Sequence, residues 1–372
     1  MINVGTGEIQ AIKVGTDDAI KAYQGETLVW SKEQRVYTAL TCEYRIVSAG
    51  TYQICSSNAA TAQTSIIVDG EVRPSTSALT FTAGTHEVEF TGMTTTLEYR
   101  YFAEIDTLVT VHFPSTMTFL GPSVFVGCTN LEHADMSDTN IGSANAFSFS
   151  GCTSLKEIRI SPVLQQVYME LFGDCTSVTS ITLNNVITSI NNGAFKNVGS
   201  DNSHSLQVVI PSSVTRIDEY AFKEANINDL ILSEGLETIG DSAFYDTNLT
   251  DIILPSTVTS VGIGAFYRAS SGYISLNEGL ETVGDEAFYG CGASDLIIPS
   301  TVTSIGDRAF EDVGYETVKF MGATPPAMGD TIFGYIADYR PQVIYVPAAS
   351  LQAYTTALTA SYSGYTSHIV AY

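Results

Sequence analysis

Apolar residues recur along this chain at one long, fixed interval. Phe222, Phe244, Phe266, Phe288 and Phe310 stand 22 residues apart. The ladder extends upstream through Phe125, Phe147, Phe172 and Phe195, at intervals of 22, 25, 23 and 27, and downstream to Phe333 after 23. Short apolar runs end at Phe113, Ile160, Leu183, Ile210, Leu232, Leu254, Leu276 and Ile298, twelve residues before each anchor. They alternate at period two and predict strands. A second apolar position, five residues before most anchors, is filled by Ile190, Ile217, Ile239, Val261, Val283 and Ile305. With the Phe it predicts the inner wall of a return path, turned at pairs such as Gly240-Asp241 and Gly306-Asp307. A unit of this size cannot bury its apolar face alone and does so against its neighbours, so the pattern predicts a β-rich solenoid of about ten coils, nine regular and a modified tenth.

Two stretches precede the ladder, and both read as small all-β modules. In residues 1–33, Ala11 to Gly15, Ile20 to Gly25 and Thr27 to Trp30 predict three short strands broken by Gly and Asp-Asp turns. In residues 34–105, the runs 48–54 and 82–90 bracket 65–72, which suggests a small sandwich. It would serve as a spacer or as a cap, because an uncovered first coil at 108–113 would expose strand edge and core. The repeats then occupy 106–324, and 325–372 form a modified repeat and cap.

Several units resemble a known family. Leu254 to Phe266 (LPSTVTSVGIGAF) and Ile298 to Phe310 (IPSTVTSIGDRAF) are similar to the BspA-like leucine-rich repeats of bacterial surface proteins. Gly-Cys-Thr at 127–129 and 151–153, followed by Asn-Leu or Ser-Leu, resembles the joint between such repeats. Gly322 to Ala327, Val343 to Pro347 and Ala353-Tyr354 resemble the segment that closes many of these arrays. The resemblance implies a leucine-rich-repeat scaffold and a role in adhesion or binding, without naming a partner. Residues 1–33 in turn resemble a short β module of phage virion and tail proteins. That likeness implies attachment to other virion proteins and a homo-oligomer, with a bacterial host surface protein or glycan as the target.

Composition narrows the partners. The chain of 372 residues carries a net charge of −24 with only 16 basic residues, which argues against nucleic acid and against anionic membranes. No stretch has the length and apolarity to span a bilayer, so no membrane insertion is expected. The opening Met1 to Glu8 lacks the basic and apolar regions of a secretory signal. As written, the chain points to a signal removed or to release by other means, such as a phage particle freed by lysis. A secreted or surface-anchored bacterial adhesin is the alternative. The six cysteines follow the coil positions or, at Cys42 and Cys55, stand apart with pairing left open. No cofactor is expected.

Catalytic motifs are missing. There is no Gly-x-Ser-x-Gly elbow, no His-Glu-x-x-His and no phosphate loop. His112 and His133 project from neighbouring coils one position out of register, which disfavours a metal pair. The chain therefore reads as non-enzymatic, with a polysaccharide-acting enzyme as a distant third reading.

Register assigns a surface. The central residue of each strand should project outward, and that row reads His112, Arg159, Thr182, Val209, Ile231, Ile253, Ser275, Ile297 and Lys319, with Asp135 nearest to it in the irregular coil. Val209, Ile231, Ile253 and Ile297 make an aliphatic strip and are the candidate partner-binding residues. The insert before Leu206 adds Asn202 and His204, in a polar bulge suited to contact. Finally, Pro-Ser-Ser/Thr-Val-Thr at 211, 255 and 299 alternates with Glu-Gly-Leu-Glu-Thr at 234 and 278, a two-coil unit of 44 residues. Glu234, Glu237, Glu278 and Glu281 would then form an acidic band, solvated or open to calcium or a basic partner.

Overall fold

The computed structural model describes residues 37, 39–55, 65–74, 76–93, 95–201, 205–269, 272–334 and 341–372, together with the backbone of three strands, Ala11–Val14, Ile20–Gln24 and Thr27–Lys32. Those three strands pair antiparallel, first with second and second with third. They fall on the three runs anticipated between the turns.

A solenoid of about twelve turns follows. The sequence suggested about ten because its ladder starts one ring late: Phe102 stacks on Phe125, centroids 5.3 Å apart and planes within 3°. At the far end, strands Val343–Val346 and Ile369–Ala371 extend the same parallel sheet beyond the modified repeat. Along the axis the buried anchors form one column of rings. From Phe195 to Phe310 the centroids are 5.0, 5.2, 5.2, 5.3 and 5.4 Å apart. Offset stacking of this kind adds to the burial of each ring.

One anchor differs from the expected ladder. Phe149, rather than Phe147, stacks between Phe125 and Phe172, at 5.1 and 5.4 Å. Backbone geometry explains the displacement. The residue two before an anchor adopts positive φ, as at Ser123, Glu170, Tyr220, Ser242, Glu286 and Arg308, and Phe147 occupies that turn position with φ 61°. With Phe149 as the pin, Cys152 lies three residues after it, as Cys128, Cys175 and Cys291 do after theirs.

Each coil contributes to two faces. Short two-residue strands from Gln166–Val167 to Ala327–Met328 build a continuous eight-stranded parallel sheet, whose inner residues include Ile190, Ile217, Ile239, Val261, Val283 and Ile305. The expected turn glycines are required here by close approach rather than by φ. A Cβ on Gly284 would lie 2.6 Å from the Gly262 carbonyl carbon of the preceding coil. Longer strands build the opposite face, where Leu206–Ile210 pairs with Ile227–Leu232 and Asp251–Ile253 with Tyr273–Ser275 as separate couples, while Asp295–Ile298 and Thr317–Phe320 begin a four-stranded sheet that runs on through Val343–Val346 and Ile369–Ala371.

The two-coil unit has a physical basis in its turns. Glu234 accepts hydrogen bonds from the Ser256 backbone N at 3.1 Å and its hydroxyl at 2.8 Å. Glu278 accepts the same pair from Ser300, at 3.2 and 2.9 Å. Thr257 and Thr301 complete the lock, each accepting from a glycine N at 3.0 Å and donating to the carbonyl of Leu236 or Leu280. A Glu-Gly-Leu turn therefore grips the Pro-Ser-Thr turn that follows it. This gives Glu234 and Glu278 a structural role in the turns.

Both ends are covered. Strand Leu40–Ile46 pairs antiparallel with Leu108–His112 of the first coils, so one six-stranded sheet joins four strands of the 34–105 unit to two of the solenoid. Its hairpin Ser65–Val68/Glu71–Pro74 turns on Asp69 and Gly70, both at positive φ as a two-residue turn requires. At the other end, helix Leu351–Ser361 buries Tyr354 and Leu358, and Tyr365 packs against Phe333.

Candidate recognition face

Strand pleating decides which side chains the long-strand face presents. Ile252, Ile274, Leu296 and Val318 point inward and are buried. Their neighbours point out. Val209 is 47% exposed, Ile231 44%, Ile253 56% and Ile297 56%. Backbone pairing places Val209 opposite Ile231, Ile253 opposite Ser275 and Ile297 opposite Lys319. The structure thus brings together the four aliphatic residues expected from the sequence in one outward row, with Ser275 as its break. Upstream, Arg159 faces Thr182 and His112 faces Asp135, which makes that half polar. Asn202 and His204 lie outside the described residues.

Sequence reasoning missed the row beside the strip. Asp229, Asp251 and Asp295 each precede a strip residue by two and are exposed. A signal was present: Asp-Leu-Ile, Asp-Ile-Ile and Asp-Leu-Ile recur at these strands. The Gln207 amide donates to Asp229, and the Thr317 hydroxyl to Asp295, so the row is partly tied together.

A second aromatic ladder runs along a turn edge. Tyr245, Tyr267 and Tyr289 stack at 4.9 and 4.7 Å, one residue after their Phe anchors. Lys223 lies 4.9 Å from the Tyr245 centroid, and the Arg308 guanidinium 5.0 Å from Tyr289. Ring faces in this ladder are covered by one another and by the terminal cations, a cation–π arrangement. It offers edges to solvent, and strengthens the coil stack.

The titratable groups of the interior are quiet. Cys42, Cys55, Cys128, Cys152, Cys175 and Cys291 are buried free thiols. Burial pushes Cys128 and Cys291 up to about 12, far from thiolate formation at neutral pH. His112 stacks on Tyr37 at 4.1 Å and pairs with Asp135, while His133 pairs with Thr110. The two imidazoles are therefore two positions out of register, not one. Among the described residues, no group of three or more His, Cys, Asp or Glu is placed to hold a metal. Among the same residues, no helix is long and apolar enough to cross a membrane.

A leucine-rich repeat protein from Bacteroides ovatus shares 18% identity and a TM-score of 0.40, over 75% of this chain and 87% of its own. A leucine rich cell surface protein from Faecalibacterium prausnitzii shares 19% and 0.38, over 68% and 77%. The pneumococcal vaccine antigen PcpA shares 18% and 0.40, over 74% and 69%. No curated protein matches. The sequence profile of the BspA type leucine rich repeat region, by contrast, matches residues 76–201 and 200–316 in six copies. With the anchored two-face coils just described, this match means that the chain belongs to the BspA-type leucine-rich repeat family.

Proposed function

We propose that this chain is a non-enzymatic recognition protein that uses the long-strand face of its solenoid to hold a partner on a bacterial host surface. The observation that carries the reading is the exposed strip Val209, Ile231, Ile253 and Ile297, since an ordered aliphatic row left open on a strongly acidic protein is a cost to solubility unless something docks there. The reading of residues 1–33 as an attachment module, and with it placement on a phage particle as a homo-oligomer, rests on their resemblance to a short β module of virion proteins, whose three runs are strands here. A secreted or surface-anchored adhesin would use the same face.

Two measurements test this. Peptide mapping of purified phage particles should find the chain; finding it only in a bacterial envelope or culture-fluid fraction would move it to the adhesin reading. Labelled protein should bind host cells, and the double substitution Ile231→Thr, Ile253→Thr, which keeps strand propensity, should weaken that binding at least ~10-fold. Unchanged binding by the double variant would remove the strip as the recognition surface.

A further inference from the structure

The aliphatic strip is half of a two-sided surface. Residues two apart on a strand share a face and lie roughly 7 Å apart, so Asp229, Asp251 and Asp295 form an acidic row parallel to Ile231, Ile253 and Ile297. Between strands Ile227–Leu232 and Asp251–Ile253 the two rows open. The Thr250 N donates to the Asn228 carbonyl at 2.8 Å, and beyond it lies a shallow cavity of about 210 Å³ lined by Asp229, Leu230, Ile231, Leu232, Asp251 and Ile253.

Resting on the reading that this face is the recognition surface, we infer that it takes a cationic amphipathic α-helix of a partner protein, laid along the solenoid axis. Spacing favours a helix. Successive coils from Phe222 to Phe288 are separated by 5.2, 5.2 and 5.3 Å at their rings, against a helical pitch of about 5.4 Å. A helix with one apolar residue per turn on one face stays in step with Val209, Ile231, Ile253 and, past Ser275, Ile297. Four such steps cover roughly 21 Å, about fourteen helical residues. Charge selects the flank of that helix. Lysine or arginine beside its apolar stripe can lay methylenes over Ile231 and Ile253 while the head reaches Asp229 or Asp251. A second copy of this chain fits poorly, because its own aspartates and its net charge of −24 would be brought against these.

The test uses the full chain and a fluorescent synthetic helix of leucine and lysine, about fourteen residues long, in anisotropy titrations. Ile231→Thr/Ile253→Thr and Asp229→Asn/Asp251→Asn should each weaken binding at least ~10-fold. Glu237→Gln/Glu281→Gln, which removes equal charge beside the short strands, should change it less than ~2-fold. Equal weakening by the Asp and Glu variants would reduce the charge effect to net charge and overturn the inference, as would no weakening by the first two. A concentration-dependent dimer in sedimentation that Ile231→Thr/Ile253→Thr abolishes would give the strip to a second copy instead. Host-cell binding separates the two ideas: variants that lose cells yet hold the peptide unchanged sink the helix and leave the recognition face standing.

Discussion

Two phenylalanines five turns of the ladder apart show how position, not residue type, sets energetic weight. Phe266 is fully buried between Phe244 and Phe288, at 5.2 and 5.3 Å. Phe147 sits half-buried in a turn at positive φ. Phe266→Ala should lower unfolding stability by about 3–5 kcal/mol through lost burial and a residual cavity. Phe147→Gly should be near neutral, within about 1 kcal/mol, because lost contact is offset by relief at a left-handed position. Denaturant titration of both variants checks the pair; a comparable loss at Phe147 would restore it as an anchor. The ring spacing located nine of the sequence's ten anchors. It failed at Phe147 because two phenylalanines stand two apart there, and only backbone handedness decides which turns inward.

Coil pairs are the working elements of the array. Hydrogen bonds from the Ser256 backbone N and hydroxyl hold the Glu234 carboxyl below its ordinary value of 4.5. A depressed folded pKa contributes stability that is fully present above the unfolded value, and that is lost as pH falls through the lowered one. Melting temperature should therefore fall on acidification below about pH 4.5, and Glu234→Gln should show a smaller fall over the same interval. An identical acid limb in the variant would dismiss the turn lock as a contributor. The 44-residue alternation was plain in the sequence. Its reason was not, because a glutamate that grips the next coil and a glutamate in solvent look the same until the turns are stacked.

At the scale of the whole molecule, a solenoid must close its ends and present what remains. Tyr354 donates to the Gly322 carbonyl at 3.0 Å, and the Tyr365 hydroxyl accepts from the Phe333 N at 2.8 Å and donates to the Gly334 carbonyl at 3.3 Å. Truncation after Val346 would uncover Phe320 and Phe333, buried in the intact chain. The truncated protein should bind a hydrophobic dye and associate with rising concentration, with its far-ultraviolet β signal largely kept. A dye-silent monomer would show that the last coils cap themselves.

The sequence by itself determined the solenoid, its period, its inner wall and the outward aliphatic row. Those follow from alternation and repetition, and both are local rules that survive without coordinates. Tertiary structure alone decided two things: that Phe149 displaces Phe147, and that the first coils complete a sheet begun at Leu40–Ile46. Each depends on how backbones from distant coils come into register, and side-chain neighbours across coils are set by that stacking rather than by order along the chain.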